Sequence, residues 1–211
     1  METATHPIGD GPTRRIPGSE RRKKLIEVAL PIFALRGYRA TTMEEIAEAA
    51  GVSKPLIYQH FSSKRALYLE LAASIGDELI SSIQSAIANA TSAREQVEHG
   101  LAAYFEVVGT HPITFGLLYG RDHDGDEELG RALRSVEDAL AQLLAPFISA
   151  DIDDEHRQFL AYSMVGMAEG ASRHWLATTA TKKGASKQEA LHLARRLATV
   201  TWAGLRALHS E

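Results

Sequence analysis

Between Lys64 and Ala90, Leu67, Leu71, Ile75, Leu79, Ile83 and Ile87 recur at every fourth position. That spacing keeps six apolar side chains on one stripe of an α-helix. The run is far longer than the strands of globular proteins, which span about 3–10 residues, and as a helix it would be about 40 Å long. Such a rod cannot bury its stripe alone, so the rest of the chain must supply helices to lie against it. The sequence does so, with further helical patterns near 93–110, 112–120, 127–149, 153–180 and 187–209. No run of alternating β-branched residues is long enough for a strand, and the expected class is all-α.

Upstream of the rod the register is shorter. Residues 1–18 carry Pro7, Gly9, Gly11, Pro12, Pro17 and Gly18 with no apolar period, and are expected to form a disordered arm. From Ser19, Leu25, Val28, Ala29, Ile32 and Phe33 mark an amphipathic helix ending near Arg36-Gly37, with a local adjustment expected at Pro31. Thr42-Met43-Glu44-Glu45 has capping-box spacing and opens a short helix through Ile46, Ala47 and Ala50. Gly51-Val52-Ser53 is a tight turn, and Lys54 to His60 makes a third helix with Pro55 in its first turn. With 211 residues the chain suits one compact domain, or two small ones sharing a helix. The expected division is an arm at 1–18, a three-helix head at 19–66 and a larger helical body at 67–211.

Helix 42–50, turn 51–53 and helix 54–60 form a helix-turn-helix pattern. An α-helix fits the DNA major groove, and the preceding helix can brace it. Helical hairpins with a glycine turn are common as mere structure, but this one is decorated with Thr42, Ser53, Lys54, Tyr58, Gln59 and His60. The net charge of -4 argues against a polyanion partner, yet its distribution does not. Residues 1–70 hold 11 Lys+Arg against 8 Asp+Glu, while the remainder holds 12 against 19. A basic head on an acidic body suits a protein of which one end meets nucleic acid.

Gly37-Tyr38, Thr41-Thr42, Ile46-Ala47, Ala50-Gly51-Val52-Ser53, Ile57-Tyr58, His60-Phe61 and Lys64 fall without a gap at the spacings of a known module. Over residues 19–70 the chain strongly resembles the DNA-binding domain of the TetR family of transcriptional regulators; beyond that the match is to helix count and length. The resemblance implies that Thr42 donates to a phosphate and that Ser53, Lys54, Pro55 and Leu56 meet base edges or a thymine methyl. It gives Tyr58 and His60 a phosphate or sugar, and Lys64 a phosphate at the start of the next helix. Arg14 and Arg15 could follow the minor groove. Gln59 serves equally as a DNA contact or as a solvated polar residue, and the alternative for Tyr58 is a core tyrosine.

The body is rich in Tyr104, Phe105, Phe115, Leu118, Tyr119, Met164, Met167 and Trp175, a supply that suits a ligand cavity or an ordinary core. A cavity of this lining would take a small lipophilic effector. The resemblance implies a homodimer formed through the 153–180 and 187–209 helices, suited to a palindromic double-stranded DNA operator. The expected function is a ligand-responsive regulator, foremost a repressor released by its effector. The alternative is a helical ligand-binding or sequestering protein without operator recognition, for which Glu44, Glu45 and Glu48 on the bracing helix leave room.

Other chemistries find little support. Asp122, Asp124 and Asp126 imitate the start of a calcium loop, but Glu127 stands where glycine is needed and Leu133 where the bidentate glutamate belongs. No catalytic constellation, metal site or cofactor motif is expected, and with no cysteine there is neither disulfide nor thiolate site. No apolar stretch reaches membrane length and no secretory pattern opens the chain, so a cytoplasmic location is expected.

Overall fold

The computed structural model describes residues 18–112, 115, 127–148, 151–178 and 186–208. Arg14 and Arg15, Leu118 and Tyr119, most of the helix expected at 112–120 and the acidic loop at 122–126 lie outside the described residues. Every regular element among the described residues is helical. In chain order these are α1 (Gly18–Ala40), α2 (Met43–Ala49), α3 (Lys54–His60), α4 (Lys64–Ala88) and α5 (Ala93–Thr110). There follow α6 (Glu127–Leu144), a short 3-10 turn (Ala145–Phe147), α7 (Asp154–Thr178) and α8 (Lys187–Ala207).

Each boundary has a local cause. Gly37 breaks the α1 path with φ 78 and ψ 163, a conformation that glycine reaches without a Cβ penalty. Thr41 Oγ1 then donates to Gly37 O at 2.8 Å and fixes the turn into α2. Thr42 and Glu45 form a reciprocal capping box, as do Ser186 and Glu189 at α8. Ser63 caps α4 and Ser92 caps α5, each accepting a backbone N–H three residues on.

One apolar core runs through the molecule along α4. Its head section gathers Leu25, Ala29 and Phe33 of α1, Met43, Ile46 and Ala47 of α2, and Ile57 of α3 around Leu67 and Tyr68. Phe33 meets the Tyr68 ring edge-on at 5.1 Å, and Tyr38 meets it at 4.9 Å. The row Leu71, Ile75, Leu79, Ile83 and Ile87 then continues, buried throughout, into the body. There α5 packs along α4 and α8, and α6 along α4 and α7.

The last two helices are buried on one face only. α7 turns Ala161, Val165, Ala168, Ser172 and Trp175 inward, and α8 turns in Ala190, Ala194, Ala198 and Thr201. Leu160, Met164 and Ala171 flank the inward face of α7, and Met167 is exposed. The outward face carries Phe159 and Met167 on α7 and Val200 on α8. At Gly166, Gly170 and Gly204 a Cβ would meet nothing within 4 Å among the described residues.

A tight helix contact lies at Gly76, where a Cβ would stand 2.7 Å from Val136 Cγ2 on α6. Valine is stiff at χ1 and cannot swing away cheaply. Alanine usually favours a helix interior by about 1 kcal/mol over glycine, but overpacking costs about 1–3 kcal/mol. We expect Gly76→Ala to lose about 1 kcal/mol in urea unfolding, and Val136→Ala to cost less in that background than alone. A Gly76→Ala protein more stable than wild type would show that α4 and α6 part freely.

Candidate nucleic-acid interface

The helix-turn-helix is built on four backbone contacts. Ala50 N–H reaches Ile46 O at 2.9 Å, Gly51 N–H reaches Glu48 O at 3.0 Å and Val52 N–H reaches Ala47 O at 2.9 Å. Gly51 takes φ 65, which brings the chain about, and Leu56 N–H closes the first turn of α3 on Ser53 O at 2.9 Å. Ile57 is wholly buried and pins α3 against α2. Its burial directs Ser53, Lys54, Pro55, Tyr58 and Gln59 to solvent, with Leu56 and His60 half-buried beside them. Tyr58 is 42% exposed, which removes it from the core. Thr42 is exposed at the start of α2, its oxygen accepting the Glu45 N–H at 3.3 Å. The expected contact residues on α2 and α3 therefore share one accessible surface.

The acids of α2 are matched. Glu44 pairs with Lys54 and Glu45 with Arg36. The hydrogen bond from Lys54 holds the Glu44 carboxyl below the usual carboxylate range and raises the Lys54 ammonium in turn. Donation from the Thr42 backbone N–H, with Arg36 adding to it, lowers Glu45 likewise. For Lys54 to reach another partner it must leave Glu44.

Lys64 is placed differently from the other expected contacts. Its Nζ donates to Tyr38 O and Thr41 O at 2.7 Å and to Arg39 O at 3.3 Å, and lies 4.6 Å from the Tyr38 ring centroid. All three ammonium protons are thus directed at the α1–α2 turn, and a phosphate would have to displace one of those carbonyls. Arg22 makes a second clamp. It pairs with both Glu70 oxygens, donates to His60 O and lies 4.4 Å over Phe61. Arg22 and Glu70 stand 48 positions apart, and no local pattern announced that contact.

Behind the head, two small contiguous cavities of about 80 and 40 Å³ run between the body helices. Gln96, Val97, Leu144 and Met164 border both. Of the expected ligand residues, Tyr104 and Met164 line this seam; Phe105 and Phe115 are fully buried beside it, and Met167 faces solvent. Trp175 is buried and borders a separate open groove with Ser186, Glu189 and His192. The i, i+3, i+4 series Val97, Gly100, Leu101 and Tyr104 was the overlooked signal for the seam's α5 wall. Among the described residues, no group of three His, Asp or Glu side chains could hold a metal, and no helix is long and apolar enough to cross a membrane.

These features define a helix-turn-helix regulator. Residues 25–71 match the family of bacterial regulatory proteins of the tetR type. The transcriptional activator FasR of Mycolicibacterium smegmatis is 31% identical over 164 residues, covering 77% of this chain and 75% of FasR. The transcriptional repressor KstR2 of Rhodococcus jostii is 33% identical over 90 residues, 43% of this chain and 44% of KstR2. A solved TetR-like regulator from Rhodococcus sp. RHA1 superposes with a TM-score of 0.70 at 24% identity, covering 91% of this chain and 99% of that one. The chain belongs to the TetR family of transcriptional regulators, a family of DNA-binding proteins and not of enzymes.

Substitutions at Lys64 and Lys54 test whether the first holds the fold or a phosphate and whether the second reads a base. Lys64→Met should lower stability by about 2 kcal/mol through its lost charged hydrogen bonds, with the salt slope of DNA binding unchanged. A slope lower by about one at unchanged stability would make Lys64 a phosphate ligand. Lys54→Ala should leave stability alone and relax preference at one base pair per half-site, costing roughly 1–3 kcal/mol there.

Proposed function

We propose that this protein is a homodimer that occupies a palindromic DNA operator and responds to a small lipophilic effector bound in its helical body. The observation that carries the operator reading is the solvent-facing row Ser53, Lys54, Pro55, Tyr58 and Gln59, held rigid by buried Ile57. Base edges would meet the start of α3, and phosphates Thr42, Tyr58 and His60. Pairing of Glu45 with Arg36 weakens the rival idea of a sequestering protein, since this acid does not oppose DNA as a bare charge. Occupancy represses where the operator overlaps a promoter and can activate where it lies upstream; relatives named for each outcome share this head. Work on DNA suits a cytoplasmic protein.

The partner surface is the outward face of α7 and α8. Phe159 and Val200 stay 66% and 61% exposed in the single chain, on a face opened by Gly166, Gly170 and Gly204. An isologous contact there buries these side chains and sets two recognition helices at a fixed spacing.

The seam explains how an effector could act. Drug-sized ligands occupy pockets of about 300–1,000 Å³, well above the 80 and 40 Å³ present here. An effector must therefore push α7 and α8 away from α4 and α5. Because α4 carries the head, the same push moves the recognition helices.

Val200→Asp tests the assembly on which this rests. The site is exposed in the single chain, so the charge costs the monomer little, whereas burial against a partner costs several kcal/mol. We expect helical, monomeric protein by sedimentation, with operator affinity reduced on the order of 100-fold because each half-site is held alone. A dimer that still binds operator would move the interface to another face.

A further inference from the structure

Two buried donors stand unmatched in the body. Tyr104 of α5 and Trp175 of α7 are each 4% exposed, and neither Tyr104 Oη nor Trp175 Nε1 has a hydrogen-bond partner among the described residues. The two are linked through Phe105, whose ring lies 5.3 Å from that of Tyr104 and 6.2 Å from that of Trp175. Ser172, one turn before Trp175, is buried and acts on the Tyr104 phenol; its hydroxyl donates to Ala168 O at 2.8 Å, and its oxygen stands outside hydrogen-bond geometry to Tyr104 Oη. Interiors rarely tolerate orphaned donors, and those that persist call for an explanation. Tyr104 borders the seam with apolar Gly100, Leu140, Val165 and Ala168, and neither Gln96 nor Thr201, the polar side chains of that lining, bonds its hydroxyl.

The charges around this hydroxyl restrict what it can receive. Burial pushes the Tyr104 phenol up, so it remains a neutral donor. Glu137 and Glu169 act on it, and burial raises both carboxyls. Arg173, also felt by the phenol, pairs with Glu169 at 3.3 Å, while Asp138 and Arg134 act on Glu137, so three acids face two bases. A ligand carboxylate would be a further acid in a poorly hydrated place.

We propose that the effector carries an uncharged hydrogen-bond acceptor, the carbonyl of an ester, thioester, amide or ketone, which takes the Tyr104 hydroxyl. Its slender apolar chain lies along the seam toward Leu144 and Met164. This rests on the reading that the body binds an effector, and it adds that the site refuses the free acid. Trp175 Nε1, on the far side of Phe105 and bordering the separate groove, is a second unmatched donor.

The test is titration of the full-length dimer with octanamide, methyl octanoate, octanoate and octane, followed by fluorescence of Trp202, which lines the seam. Octanamide and methyl octanoate should bind about tenfold or more tighter than octanoate. Tyr104→Phe should lower affinity for the amide and ester by about three- to tenfold, the worth of one hydrogen bond, and leave octane unchanged. Its melting temperature should hold or rise, because the variant removes an unmatched hydroxyl. Octanoate binding more tightly than octanamide, or a Tyr104→Phe protein that binds octanamide like wild type, overturns the inference while octane binding keeps the effector reading. Failure of all four probes, octane included, overturns both. Trp175→Phe, read by calorimetry, supplies an independent arm: amide affinity falls if the second donor serves the same ligand, and an amide affinity unchanged in both variants rejects the polar end altogether.

Discussion

One helix must serve two cores, and the rest of the structure follows from that requirement. Leu67 and Tyr68 at the start of α4 complete the packing of α1 to α3, and Leu71 through Ile87 form the spine of the body. Close-packed interiors resist deformation and pass displacement on instead of absorbing it. The head cannot shift relative to α4 without opening its own core at Phe33, Tyr38 and Tyr68. Lys64 and Arg22 strengthen the junction from either side, the first through the carbonyls of the α1–α2 turn and the second through Glu70, Phe61 and the end of α3. Head and spine therefore move as a unit.

The body is arranged in the opposite sense. Its seam lies between α4 and α5 on one side and α7 and α8 on the other, lined by side chains with little polar character except at Gln96, Tyr104 and Thr201. Apolar walls without directional bonds separate more readily than a hydrogen-bonded junction. On the proposed reading, a ligand entering there moves most easily along the seam, α4 takes the displacement to the head, and in a dimer held by the outer faces of α7 and α8 the spacing of two recognition helices changes at once. A coupling of about 1–3 kcal/mol is ordinary for such an arrangement, and operator binding must oppose effector binding by the same factor.

Much of this was legible in the residues because it is encoded locally. The i+4 row of α4, the capping box at Thr42, the glycine turn at Gly51 and the break at Gly37 each depend on a few neighbours, and each is found where the pattern placed it. What was not legible depends on long-range partners or on helices with two usable faces. Arg22 meets Glu70 from 48 positions away. Lys64 stands at a position that suits a phosphate, and only the fold brings three carbonyls around it. On α7 Met164, Met167 and Trp175 are alike candidates for a cavity wall by residue type, but the buried stripe is made of Ala161, Val165, Ala168, Ser172 and Trp175, and Met167 faces solvent. Small residues let α7 sit close to its neighbours, and periodicity alone does not distinguish that face from one that awaits a partner.

The central claim is that separating the seam changes the spacing of the heads. Ala168 is buried against the 40 Å³ cavity, so Ala168→Trp must wedge α7 outward and imitate a bound effector. The chain has no cysteine, so Gln59→Cys on the exposed face of α3 gives one nitroxide site per protomer. The distance between the two labels, measured by pulsed electron resonance with and without the wedge, should change by several ångströms, and operator affinity should fall with it. An unchanged distance in a folded, wedged dimer would show that the body opens without moving the heads, and the coupling through α4 would have to be abandoned.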